Sequence, residues 1–287
     1  MSKGLGHSTR AVSASWLAAA IVVAMALAGC GGRGGRRALV LAGSTSVQPV
    51  AELIAEHYEV EHPHHSVNVQ GGGSTAGVRA ALEGAADIGM SSRALKPDEV
   101  GLEPIVVARD AVVLIVHPSN RTTDLTPEQV RAIYTGRITH WSDVTGPKWS
   151  SDDRRDDIIT LVTREEGSGT RSAFEEGVMA KADITPRALV QDSTGTVRAI
   201  VASDPNAIGY ISLGMVSSEV RALTYGGVQA TEETVEEGTY ALARPFLLLT
   251  RGAPSGEAGQ FIRFALSDEG QQLVVRAGYL PVRRLDP

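Results

Sequence analysis

Short apolar, β-branched runs alternate with stretches whose apolar residues recur at helical spacing along most of this chain. Four of the runs share one design. Residues 38–42 (ALVLA) read as a strand that leaves through Gly43-Ser44-Thr45-Ser46, after which Val47, Val50, Ile54 and Tyr58 fall on one helical face. Residues 66–70 (SVNVQ) alternate like a strand and run into GGGST at 71–75; Val78, Ala81 and Leu82 then face one way until Gly84 closes the helix. Residues 86–90 (ADIGM) form a third strand, ending in Ser91-Ser92-Arg93. Residues 158–163 (IITLVT) form a fourth, which stops at Arg164 and passes through Glu165-Glu166-Gly167 into Ser168-Gly169-Thr170 and a helix over 171–180.

The remaining pattern extends this alternation. Strands are predicted over 104–108, 111–117, 207–211 and 244–250, and helices over 127–134, 193–203, 256–266 and 268–277. Thr126-Pro127-Glu128 opens the first of those helices with proline at its first position. The charge run SDDRRDD at 151–157 reads as a solvated loop, and the glutamates at 232, 233, 236 and 237 as a polar turn. Alternating strands and helices imply an α/β fold whose ligand lies beyond the carboxyl ends of the strands. The long strands at 111–117 and 244–250 bracket the middle of the chain, as two crossings between two lobes would. One lobe is then 38–112 together with 246–287, and the other 113–245.

Before residue 38 the pattern changes. Lys3 and Arg10 precede an apolar stretch over 11–27, and Leu27-Ala28-Gly29-Cys30 ends on the single cysteine of the chain. This order reads as a signal peptide over 1–29, and it resembles the lipobox of bacterial lipoproteins, in which the cysteine is acylated. Residues 30–37, with GGRGGRR at 31–37, form a flexible tether. One cysteine excludes an intramolecular disulfide.

The four loops carry the candidate chemistry. A strand, a glycine turn and a helix opened by small hydroxyl residues aim several free backbone N–H groups at one point, where the helix dipole favours negative charge. Arg164 adds a planar fork suited to a tetrahedral oxyanion. A single loop of this kind is better explained as a capped helix beside a surface arginine; its repetition in one α/β chain points to an oxyanion site. A net charge of −6 argues against nucleic acid and requires that an anion be held by aimed donors rather than by a broad positive field. GGGST lacks the lysine and spacing of a nucleotide P-loop. His57, His62, His64 and His65 are interrupted by Pro63 and have no cysteine beside them, so they read as a solvated turn rather than a metal site. A phosphate-ester hydrolase would need an activated nucleophile, yet Ser168 does not lie in a G-x-S-x-G elbow and no histidine falls in the four loops.

LAGSTSVQPV, VQGGGSTAGV, ADIGMSSRAL, LTPEQVRAIYTGRITHWSDVTG, REEGSGTRSAF and NAIGYISLG together make the mature chain resemble the substrate-binding lipoproteins of phosphate-specific ABC importers. That resemblance implies a two-lobed periplasmic-binding-protein fold of type II. It implies a monomer outside the cytoplasm, lipid-anchored to a bacterial membrane at Cys30, that delivers inorganic phosphate to a permease without catalysis, cofactor or metal. Carried over by motif, the ligands are Thr45, Ser46, Ser74, Ser92, Arg164, Ser168, Gly169 and Thr170, with Glu166 orienting Arg164 and Arg93 as a candidate second cation. Arg164 is expected to serve the ligand and to contribute little to stability without it. Some members of the family have aspartate where Ser92 stands, accepting the proton that phosphate carries and sulfate lacks. A hydroxyl there implies a reduced preference for phosphate. Sulfate or molybdate binding is the neighbouring alternative.

Overall fold

The computed structural model describes residues 38–145 and 157–283. The signal segment, Cys30 and its tether lie outside the described residues, as does the charge run except Asp157. Among the described residues no helix is long and apolar enough to cross a membrane.

β1 (Leu39–Gly43) leads into α1 (Gln48–Glu61), which buries Val50, Ile54 and Tyr58 on the face that their spacing implies. β2 (Val67–Gly71), α2 (Ser74–Glu83) and β3 (Ile88–Ser91) follow, with Gly84 capping α2 in the left-handed conformation. β4 is a 14-residue strand, Glu103–Val116. β5 (Asp124–Leu125) precedes α3 (Pro127–Tyr134), whose Thr126 and Gln129 complete a capping box. Then come α4 (Ser142–Thr145), β6 (Thr160–Arg164), α5 (Gly169–Phe174), β7 (Leu189–Gln191), α6 (Thr194–Ser203) and β8 (Ala207–Ser212). The chain ends with β9 (Arg221–Ala222), β10 (Thr224–Tyr225), α7 (Glu232–Glu236), β11 (Ala243–Thr250), α8 (Gly256–Ala265) and α9 (Asp268–Arg276).

The main sheet runs β2-β1-β3-β11-β4-β8-β6-β7, with β9 also paired to β4. It holds two parallel blocks, β2-β1-β3 and β8-β6-β7, joined through β11 and β4, which run antiparallel to their neighbours. Two large cores result, beside a small cluster of Val78, Ala81, Leu247 and Leu249. One draws its side chains from residues 111–242 together with Leu280. The other draws them from residues 39–108 and 246–279. The switch between cores falls on the middle of β4 and the start of β11.

Four local differences from the sequence pattern have readable causes or partners. The strands expected at 104–108 and 111–117 are one strand, because Asp110, which reads as a polar break, is fully buried against Arg244, its register partner on β11. The helix expected over 171–180 begins earlier, at Gly169, and changes to a π turn at Glu175–Met179 just after Phe174, whose ring stacks 4.2 Å from Tyr210. The polar turn near 232 is the short helix α7, because Thr231 and Thr234 form a reciprocal cap. His62 and His65 are half-buried, not fully solvated: both rings pack on buried Tyr58, and His65 Nδ1 lies 2.7 Å from Glu257.

Candidate functional site

The loops at the carboxyl ends of both parallel blocks meet. From β1, the Ser44 hydroxyl accepts from the N–H groups of Ser46 and Val47 and donates to Ser92 Oγ at 2.9 Å. Ser74, first in α2, accepts from the Ser92 N–H at 3.1 Å and lies 3.3 Å from the Ser92 hydroxyl. Gly73 can enter α2 this way because its φ of 89° is open to glycine. From the other block, Thr170 Oγ1 reaches Ser46 Oγ at 2.9 Å, and the Thr75 N–H donates to the Gly167 carbonyl at 3.1 Å.

Arg164 ends β6 and is 1% exposed. Its Nε and one terminal nitrogen grip both oxygens of Glu165 at 2.9 Å. The other terminal nitrogen donates to Thr194 Oγ1 at 2.9 Å, and a longer contact of 3.3 Å reaches Thr45 Oγ1. The carbonyls of Gln191 and Asp192 accept further bonds. Behind it, the Tyr210 hydroxyl pairs with Thr163 Oγ1 at 2.7 Å and accepts from the Arg164 N–H at 3.3 Å. Burial pushes the Tyr210 pKa up to about 12, so it stays a neutral hydroxyl that fixes the strand end.

A second guanidinium enters from β11. Arg244 donates through Nε to Asp110 Oδ2 at 2.9 Å, and a terminal nitrogen lies 2.8 Å from the same oxygen. That same terminal nitrogen donates to Ser46 Oγ at 3.2 Å, and the other terminal nitrogen donates to Ser92 Oγ at 3.3 Å. Burial raises the carboxyl pKa of Asp110 and lowers that of Arg244, each opposed by the other's charge. The result is a buried cluster of hydroxyls between two arginines, each with its own carboxylate. Its donors converge from both blocks, as an oxyanion requires.

A family profile described as the PBP superfamily domain matches residues 30–269. The phosphate-binding protein PstS of Bacillus subtilis is 30% identical over 251 residues, covering 85% of this chain and 80% of that relative. The chain belongs to the PstS-like family of the PBP superfamily. PstS of Pseudomonas aeruginosa is 29% identical over 269 residues, covering 84% of this chain and 81% of the relative. A Clostridium perfringens protein, assigned as a phosphate ABC transporter substrate-binding protein and solved with bound phosphate, superposes with a TM-score of 0.80 at 40% identity. It covers 86% of this chain and 100% of its own. The two-lobed α/β fold is the fold of this family.

In this PstS-like chain, Thr45, Ser46, Ser74, Ser92, Arg164, Gly169 and Thr170 come together as their motifs suggest. Ser168 differs in emphasis: its hydroxyl caps α5, accepting from the Arg171 N–H at 3.2 Å. Two expectations are corrected. The acid that orients Arg164 is Glu165, whereas Glu166 is exposed. Nor is Arg93 the second cation at these hydroxyls; it is held by Glu99 at 2.7 Å and faces Thr75. Arg244 has that place. Sequence reading missed Ser44, Thr194, Asp110 and Arg244. Thr194 was detectable, since Ser193-Thr194-Gly195-Thr196 at the start of α6 repeats the hydroxyl-rich helix start; Arg244, inside a strand, carried no such signal.

Proposed function

We propose that this chain binds inorganic phosphate outside the cytoplasm and delivers it to the permease of an ABC importer, as a monomer. The observation that carries the reading is the convergence of buried Arg164 with hydroxyls from both blocks, within a family whose named relatives bind phosphate. Thr45, Ser46, Ser74, Ser92, Ser168, Gly169 and Thr170 supply neutral donors around the anion, and Arg164 supplies the fork. The two cores support lobes close to 38–112 with 246–287 and 113–245, except that Ala111, Val112 and Leu280 pack in the core of the second. The hinge lies where β4 and β11 pass between cores.

The chain acts by binding, without catalysis. Among the described residues, the cluster's hydroxyls bond to one another, to guanidinium groups and to backbone amides; none has a histidine or carboxylate base beside it. Calorimetry of residues 38–287 should give a saturable one-site phosphate isotherm; no heat and no competition by phosphate would sink the reading.

Selectivity follows from Ser92. Its oxygen accepts from Ser44 and from Arg244, so both lone pairs are engaged and its hydrogen is left to donate. The site therefore offers no acceptor at this position for the proton of phosphate. Phosphate is expected to outcompete sulfate by a reduced margin, and Ser92→Asp to widen that margin by about tenfold or more. Competition binding checks this; a wild type that already excludes sulfate at large excess, with Ser92→Asp adding nothing, would place the acceptor elsewhere.

Gly169 tests the closeness of the two blocks. A Cβ there would lie 2.4 Å from Ser74 Oγ and 2.6 Å from Ser92 Oγ. Gly169→Ala should weaken phosphate binding by about 1–3 kcal/mol, the usual cost of overpacking. An unchanged isotherm would mean that the blocks are farther apart when ligand is bound.

Acylation of Cys30 would tether the protein to the membrane, and stable attachment needs more than one acyl chain. Cys30→Ala should release it into the soluble fraction. Mass spectrometry of the mature protein showing unmodified Cys30 would refute this.

A further inference from the structure

We infer that Arg244 is a second cationic contact for the bound anion, held in place by Asp110; the inference rests on the phosphate-binding reading above. Arg244 belongs to none of the hydroxyl loops. It stands on β11 directly across from Asp110 on β4, where the chain passes from one core to the other. Its bonds fall into two sets. Those to Asp110 are short, at 2.8 and 2.9 Å. Those toward the site are long: 3.2 Å to Ser46 Oγ, 3.3 Å to Ser92 Oγ and 3.4 Å to the Ser92 carbonyl. Asp110 anchors the edge of the fork formed by Nε and one terminal nitrogen. That nitrogen also reaches Ser46 Oγ, and the other terminal nitrogen reaches Ser92, so the long bonds fall on hydroxyls from two different loops.

The two arginines converge. Arg164 donates to Thr194 Oγ1 at 2.9 Å, Thr194 lies 3.0 Å from Ser46 Oγ, and Arg244 donates to that same Ser46 oxygen. Two guanidinium groups linked through the Thr194 and Ser46 hydroxyls repel each other, and an anion among those hydroxyls removes that cost by facing both. Other groups facing Arg244 are the Phe246 ring, 5.6 Å away, and the Tyr279 phenol, whose own hydroxyl donates to the Ser46 carbonyl at 3.2 Å. Neither supplies a negative charge, since burial raises the Tyr279 pKa. Arg244 remains charged throughout the range in which phosphate takes its second negative charge. A second cation therefore favours the dianion over the monoanion, and affinity should climb with pH through that ionisation.

The test is binding of radiolabelled phosphate to the full chain in detergent, at pH values on either side of the second ionisation of phosphate. Arg244→Gln combined with Asp110→Asn removes both buried charges and leaves none unpaired. It is expected to lower affinity at least tenfold at the higher pH, by much less at the lower, and so to flatten the rise seen in wild type. Ser74→Ala, which removes a neutral donor, should lower affinity equally at both. Arg244→Lys retains the ion pair without the fork and should bind more weakly while keeping the pH rise. The inference is overturned by a folded double variant with wild-type affinity, by an equal loss at both pH values, or, should the double variant not fold, by Arg244→Lys binding as wild type does. If Arg164→Ala abolishes binding while these variants do not, only Arg244 has been misassigned. If wild type itself fails to bind phosphate, the functional reading falls first.

Discussion

Arg164→Ala is expected to lower phosphate affinity by about 2–5 kcal/mol, tens- to thousands-fold. The fork is charged, 1% exposed and fixed by Glu165, so its loss removes a charge-assisted contact in a site from which water is largely excluded. Calorimetry measures the change directly, and an unaltered isotherm would mean that the ligand lies elsewhere. The unliganded protein should weaken as well, against the expectation from sequence. Thr194 and the carbonyls of Gln191 and Asp192 would lose a donor, at about 1–3 kcal/mol if they stay buried and unpaired. Glu165, with 29% of its side chain exposed, can rehydrate and should add little to that loss.

Asp110→Ala should have the largest effect on folding. Asp110 is fully buried, and its carboxylate compensates Arg244, accepts the Leu213 N–H at 3.1 Å and joins β4 to β11. Breaking such a pair from one side leaves a bare charge in the interior and costs about 3–5 kcal/mol. Urea denaturation of the free protein should show a matching fall in midpoint at an unchanged slope. Arg244→Gln combined with Asp110→Asn should recover most of that loss, because no unpaired charge remains. If Asp110→Ala unfolds at the wild-type midpoint, the pair is solvated in solution.

Much of this protein is written in short-range pattern. Val50, Ile54 and Tyr58 at helical spacing, Gly84 at a helix end and Thr126-Pro127 at a helix start act within a turn or two of their own positions, and each does what its spacing implies. The hydroxyl loops were legible in part for the same reason: a glycine and small polar residues after an apolar run mark a strand's exit, and Ser168 caps the helix that follows it. By contrast, Gly73 enters α2 without a side-chain cap, and the element after Ser91-Ser92-Arg93 is the strand β4. Partnership is another matter. Glu165 and Glu166 are neighbours of equal chemistry, and only the direction in which the chain leaves β6 decides which one meets Arg164. Arg93 sits in a motif loop yet turns to Glu99, while Arg244, 134 residues from Asp110, reaches Ser46 and Ser92 through a strand register that no local pattern encodes. Arg109 and Asp110 fall between the two strands expected at 104–108 and 111–117, because a charge in an apolar run is costly to bury without a partner. Only the pairing of β4 with β11 supplies the opposite charge that lets the strand continue, because the compensating interaction lies across space rather than along the chain.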